Sequence, residues 1–128
     1  MTAATTDYKK LVEELIGSKM PGAAIVSKEG QTQACKNITI SKEEAKVLVD
    51  GFDKSEKIAA NGLMINGKKH QFLSKTANYI KTKADKGGSV TSRTAKNIIV
   101  GMYDDKLSLE DCTKAMELVA AKLKKSGL

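Results

Sequence analysis

The sequence predicts an α+β domain with a mainly antiparallel sheet and a helix near each end. Three observations carry this. Apolar residues recur at helical period in the first and last segments, Asn66-Gly67 sits between apolar runs, and the stretch between them reads as short strands joined by turn residues. With 128 residues, 41% of them hydrophobic, the chain is expected to be a single domain, 1–128, with one ordinary core.

In order, Tyr8, Leu11, Val12, Leu15 and Ile16 form one helical stripe between Thr6 and Ile16, opposite Lys9, Lys10, Glu13 and Glu14, and Gly17-Ser18 ends it. Residues 22–27 and 31–36 flank Lys28-Glu29-Gly30 and read as an antiparallel hairpin. Ser41-Lys42-Glu43-Glu44 has the capping-box spacing, ahead of Ala45, Val47, Leu48 and Phe52 at helical spacing. That predicts a helix to about Asp53, with a short one from Ser55 to Ala60. Strands are then predicted at 63–65, 70–73, 78–81 and 97–100, with turns at Asn66-Gly67 and Gly87-Gly88. Ser108 caps the last helix, whose stripe is Leu109, Cys112, Met116, Val119, Ala120 and Leu123, with Lys122, Lys124 and Lys125 near its negative dipole end.

Composition excludes several function classes. One His and two Cys supply neither a four-ligand zinc site nor a disulfide framework, and no metal or cofactor is expected. Cys35, in a strand pattern, and Cys112, on an apolar helix face, read as buried thiols of a reducing, intracellular compartment. No apolar stretch is long enough for a membrane span, and the first residues lack a signal-peptide core. Gly62 to Lys69 matches the phosphate loop except that Lys69 stands where a hydroxyl must hold magnesium; the Asn66-Gly67 turn explains it better. His70 has no nucleophile pairable with it from sequence, and Glu13-Glu14, Glu43-Glu44 and Asp104-Asp105 are sequence neighbours rather than a converging dyad. The chain is not expected to be an enzyme.

Charge placement is more informative. The net charge is +7, and Arg93 is the only guanidinium among 22 basic residues. An acidic partner is favoured, while sequence-specific nucleic-acid reading, which leans on Arg, is not. Between Ile65 and Val100 stand Lys68, Lys69, Lys75, Lys81, Lys83, Lys86, Arg93 and Lys96 against Asp85 alone. On a strand, Lys81 and Lys83 share one face, with Thr82 opposite.

The chain resembles the profilin family. The resemblance rests on the order of Gly67-Lys68-Lys69, Ile80-Lys81-Thr82-Lys83, Gly87-Gly88, Arg93-Thr94, Ile98 to Tyr103, and a last helix with Cys112 and Glu117 ending near Leu123 to Leu128. Ala23 to Val26 with Gly30 is similar to the family's first hairpin. The resemblance implies a profilin-like fold: a central sheet with the terminal helices on one face and shorter helices on the other. It also implies a cytoplasmic, cytoskeleton-associated protein that binds monomeric actin and regulates its polymerisation and nucleotide exchange; a monomer is expected.

The family's actin face falls on Lys81, Lys83, Lys86, Leu107, Ser108, Glu110, Thr113 and Glu117, with Leu107 the implied apolar anchor. Its proline-rich-ligand groove falls on Thr5, Tyr8, Gln33, Lys122 and Leu128, where only Tyr8 keeps an aromatic ring, so binding of proline-rich proteins is expected to be weak or absent. The alternative is a module for anionic phospholipids, phosphoinositides among them, using Lys68, Lys69, Lys124 and Lys125, joined by Lys81, Lys83 and Lys122 if these converge.

Overall fold

The structure, a computed structural model, describes residues 8–54, 56–76, 78–85 and 87–128. Thr6 and Ser55, expected to begin helices, lie outside the described residues. The elements run α1 (Tyr8–Gly17), β1 (Ala23–Ser27), β2 (Thr32–Lys36), α2 (Lys42–Gly51), α3 (Glu56–Asn61), β3 (Leu63–Ile65), β4 (Lys68–Lys75), β5 (Tyr79–Ala84), β6 (Gly87–Arg93), β7 (Asn97–Asp104) and α4 (Leu109–Lys125). The strands form one seven-stranded sheet in the order β2-β1-β7-β6-β5-β4-β3, and every pairing is antiparallel.

Alternation along the strands builds a core on each side of the sheet. Ala23 and Ile25 of β1, Val90 of β6 and Ile99 of β7 meet Leu11, Val12 and Leu15 of α1 and Cys112, Met116, Val119 and Leu123 of α4. Their neighbours Ala24, Val26, Ile98 and Val100 point the other way, onto Ala45 and Leu48 of α2, Phe52, and Ile58 of α3. The terminal helices thus share one face and the short helices the other, as the resemblance implies.

The capping box at α2 is real and does more than cap. Ser41 Oγ accepts the Glu44 N–H at 3.1 Å, while Glu44 Oε1 accepts the Ser41 N–H at 3.0 Å. The same carboxylate accepts the Asn66 N–H at 3.3 Å through Oε1 and the Gly67 N–H at 2.8 Å through Oε2. Asn66 and Gly67 have φ of 56° and 74°, the positive values a two-residue type I′ hairpin turn needs. Glu44 therefore ties the start of α2 to the β3–β4 turn.

Three expectations are corrected. Gly87 and Gly88 do not turn the chain; they begin β6, paired with Ala84 and Lys83 on one side and with Asp104 and Tyr103 on the other. Glycine is needed there by crowding: a Cβ on Gly88 would strike the Thr82 carbonyl and lie 2.7 Å from Tyr103 Oη, whose hydroxyl donates to that carbonyl at 2.6 Å. The strand that follows the glycines was not anticipated, because its buried positions Ser89, Thr91 and Ser92 are polar. Cys35 is exposed, not buried, since β2 is an edge strand open along most of its length. Cys112 is buried as expected, and that burial pushes its thiol pKa up to about 12.

Replacing Glu44 with Ala should cost about 2 kcal/mol, because three part-buried backbone amides lose a charged acceptor. Urea unfolding of wild type and variant checks this; a loss under about 0.5 kcal/mol would mean the clamp is dispensable.

Candidate functional site

Two regions collect the residues singled out by sequence, and α4 borders both. The first is the outer surface of β5 with the start of α4. Lys81 pairs with Val90 and Lys83 with Gly88 across β6, while Thr82 between them is fully buried on the opposite face. Lys83 is exposed and Lys81 half-buried. Two residues before Lys81, the Tyr79 phenol faces Glu117 of α4. Burial first, and then the charge and hydrogen bonding of Glu117, hold its pKa above the ordinary tyrosine value. This contact joins the lysine strand to the helix.

Further up α4, Thr113 Oγ1 donates to the Leu109 carbonyl at 2.8 Å, Glu110 pairs with Lys114 at 3.6 Å, and exposed Ser108 caps the helix by accepting the Asp111 N–H at 3.1 Å. Lys86 lies outside the described residues. Leu107 does not fit the role of anchor: it is 6% exposed and packs inside the core beneath α4. An apolar residue that is available lies on β4 instead. A bulge between the pairs Phe72–Thr82 and Ser74–Lys81 leaves Leu73 unpaired beside Lys81 and 43% exposed. The signal was legible: adjacent strand residues face opposite ways, so a Phe72 packed inward turns Leu73 outward.

The second region lies between α1, the β2 edge and the last turn of α4. Three of the groove positions converge there on Asn97, which is 1% exposed. Gln33 Nε2 donates to Asn97 Oδ1 at 3.3 Å, and Asn97 Nδ2 donates to the Leu128 carbonyl at 3.1 Å and reaches Tyr8 Oη at 3.5 Å. Thr94 Oγ1 and the Lys96 N–H donate to the same Leu128 carbonyl at 2.8 and 2.6 Å. Lys122 is drawn to Glu14 of α1, 2.7 and 2.9 Å from the two carboxylate oxygens. Polar groups of the chain's own thus meet among these positions. Thr5 lies outside the described residues. The local sequence around Asn97 marks only the start of a strand and not a hub.

Of the seven lysines expected for a lipid surface, Lys81 lies within β5 and the other six fall into two separate groups. Lys68, Lys69 and Lys83 border a cleft on the α3 side that also exposes Gly87. Lys122, Lys124 and Lys125 occupy the last turn of α4, beside the Lys96 turn that bonds Leu128. These groups sit at opposite ends of β6, roughly 20 Å apart at the rise of a strand. Among the described residues there is no group able to hold a metal ion and no helix long and apolar enough to cross a membrane.

A family model described as Profilin matches residues 6–128. The chain is similar to profilin-A of Physarum polycephalum, with 27% identity over 116 residues that cover 90% of this chain and 93% of the relative. The fold matches the crystal structure of Acanthamoeba castellanii profilin II with a TM-score of 0.90 at 23% identity, covering 95% of this chain and all of that one. It also matches mouse profilin IIa, solved in complex with a double repeat from the FH1 domain of mDia1, with a TM-score of 0.78 at 17% identity over 96% of this chain and all of that one.

Asn97→Ala should cost about 1 kcal/mol, because it removes the part-buried hydrogen bonds to Gln33, Tyr8 and Leu128. Chemical unfolding measures the loss, and NMR shift changes should centre on Tyr8, Gln33 and Leu128. A neutral substitution with unchanged shifts would show that Asn97 is not the hub.

Proposed function

Because the chain belongs to the profilin family, a family of actin-binding regulators, we propose that it binds monomeric actin in the cytoplasm and regulates polymerisation and nucleotide exchange without chemistry of its own. The observation that carries this is the continuous surface formed by Lys81 and Lys83, the Tyr79–Glu117 contact and exposed Leu73. Lysines at a rim steer an acidic partner, and affinity comes from an apolar anchor. Leu73 takes that role in place of Leu107, with Ser108, Glu110 and Thr113 at the edge of the contact.

Added to pyrene-labelled actin, the protein should slow spontaneous assembly. The double reversal Lys81→Glu, Lys83→Glu and the truncation Leu73→Ala should each weaken binding by about tenfold, or about 1.4 kcal/mol. A wild type with no effect on assembly would refute the proposal; an unchanged Leu73→Ala would remove the anchor alone. Lys68, Lys69 and Lys83 around one cleft favour a second reading, in which an anionic phospholipid headgroup such as a phosphoinositide competes for this side of the molecule. Failure to sediment with phosphoinositide vesicles at low salt would exclude it.

Binding of proline-rich segments is proposed to be weak or absent. Such ligands stack on aromatic rings, whereas the groove here holds one Tyr8 ring, the Gln33–Asn97 amide pair and the Lys122–Glu14 ion pair. Each missing aromatic contact removes about 1 kcal/mol. The protein should therefore elute from polyproline resin well ahead of a profilin with a complete aromatic groove; equal retention would overturn this.

A further inference from the structure

His70 is the single histidine of the chain and is 1% exposed. It belongs to neither region above. Its ring Nδ1 lies 2.9 Å from Thr82 Oγ1, which lies 2.7 Å from Ser89 Oγ and accepts the Ser89 N–H at 3.1 Å. A polar seam thus crosses β4, β5 and β6 beneath the surface that carries Lys81 and Lys83. We propose that this seam is an acid-sensitive latch: protonation of His70 loosens the pairing of β4 with β5, the two strands that carry Leu73, Lys81 and Lys83.

The seam has a proton count that suits only a neutral ring. With Nδ1 unprotonated, Ser89 donates its hydroxyl proton to Thr82, and Thr82 donates its own to the ring. A ring carrying protons on both nitrogens reverses this: Thr82 must accept from the ring and from the Ser89 N–H, and give its proton to Ser89. The Ser89 hydroxyl proton is then left without an acceptor among the described residues, in a position that is fully buried.

The charges around the ring oppose protonation as well. Lys68 at the start of β4 faces it, Lys69 and, from β5, Lys83 border the same cleft, and Asp85 stands at the cleft's edge. From β7, the neutral Tyr103 phenol borders the cleft; α3 contributes Ala59, Ala60 and Asn61, β3 pairs with His70 through Leu63, and β6 presents Ser89, all uncharged. From α2 the Glu44 carboxylate acts in the other direction, but its oxygens already hold the amides of Ser41, Asn66 and Gly67. A cation at His70 feels the pull of Glu44 with this clamp in place, but can hydrogen-bond the carboxylate only by competing with the clamp.

Burial first, then Lys68, keep the ring's pKa below its ordinary 6.5, against the pull of Glu44. The sign follows from linkage. The unfolded chain takes up this proton near pH 6.5 and the folded chain only at lower pH, so the stability is intact above 6.5 and is lost as pH falls through the folded pKa.

NMR on the full chain between pH 7.5 and 5.0 tests the latch. The His70 Cε1–H resonance should titrate with a midpoint below 6.5. Over the same range amide exchange, corrected for its intrinsic pH dependence, should accelerate about fivefold or more in β4 and β5 relative to β1 and β7. His70→Asn, which keeps an amide near Thr82 but cannot titrate, should abolish the difference between strands. A midpoint at or above 6.5, or acceleration spread evenly over the sheet, would overturn the proposal; if the variant does not fold, the wild-type titration and exchange decide alone. The link to function rests on the actin reading, so binding to actin monomers is compared at pH 7.5 and 6.0. Wild type should lose affinity relative to His70→Asn. A chain that binds no actin even at pH 7.5 refutes the proposed function, while exchange in β4 and β5 still decides the latch.

Discussion

Strands β6 and β7 run near the middle of the sheet with helices above and below, so every residue from Asn97 to Gly101 is buried whichever way it points. That constraint sets much of the rest. Ile98, Ile99 and Val100 can be consecutive apolar residues because neither face meets water, and Gly101 has no side chain because Met20 and Met116 close over it. Although Thr91 Oγ1 and Ser92 Oγ on β6 have no hydrogen-bond partner among the described residues, several of the polar residues buried there satisfy one another. Thr82 and Ser89 do so across β5 and β6, and Asn97 does so at the end of β7 through Gln33 and the Leu128 carbonyl.

What could be read in the chain divides along the same line. Local chemistry was legible: Asn66-Gly67 specifies its own turn, Ser41 and Glu44 specify a helix start, and the stripe from Leu109 to Leu123 specifies a helix with one buried side. What depends on distant partners was not. Ser89, Thr91 and Ser92 look like loop residues until β5 and β7 are placed on either side of them. Gly88 looks like a turn until the Tyr103 ring is seen to reach across it. Cys35 has the neighbours of a buried strand residue, and only its place on the edge of the sheet exposes it.

The candidate positions behave in the same way. Lys81 and Lys83 could be assigned to one face from spacing alone, and the structure keeps them there. Leu107 could not be assigned, since the loop before α4 folds it inward, with its N–H held by Asp104 Oδ1 at 3.0 Å. Tyr8, Gln33 and Leu128 are separated by most of the chain, and nothing in their local sequence says that one buried amide collects them. Glu44 shows the opposite case: a residue legible as a helix cap turns out also to hold a hairpin 22 residues away.

The contrast between the two thiols has a practical side. Cys35 is exposed on the edge strand β2, while Cys112 is enclosed and burial pushes its thiol pKa up to about 12. Under native conditions the molecule therefore offers a maleimide or spin label one attachment point. Four strand spacings, about 19 Å, separate that point from the lysine strand. A dye placed there rides on the frame of the sheet and leaves the surface around Lys81 uncovered, so the unaltered chain is its own singly addressable probe for fluorescence anisotropy or surface capture.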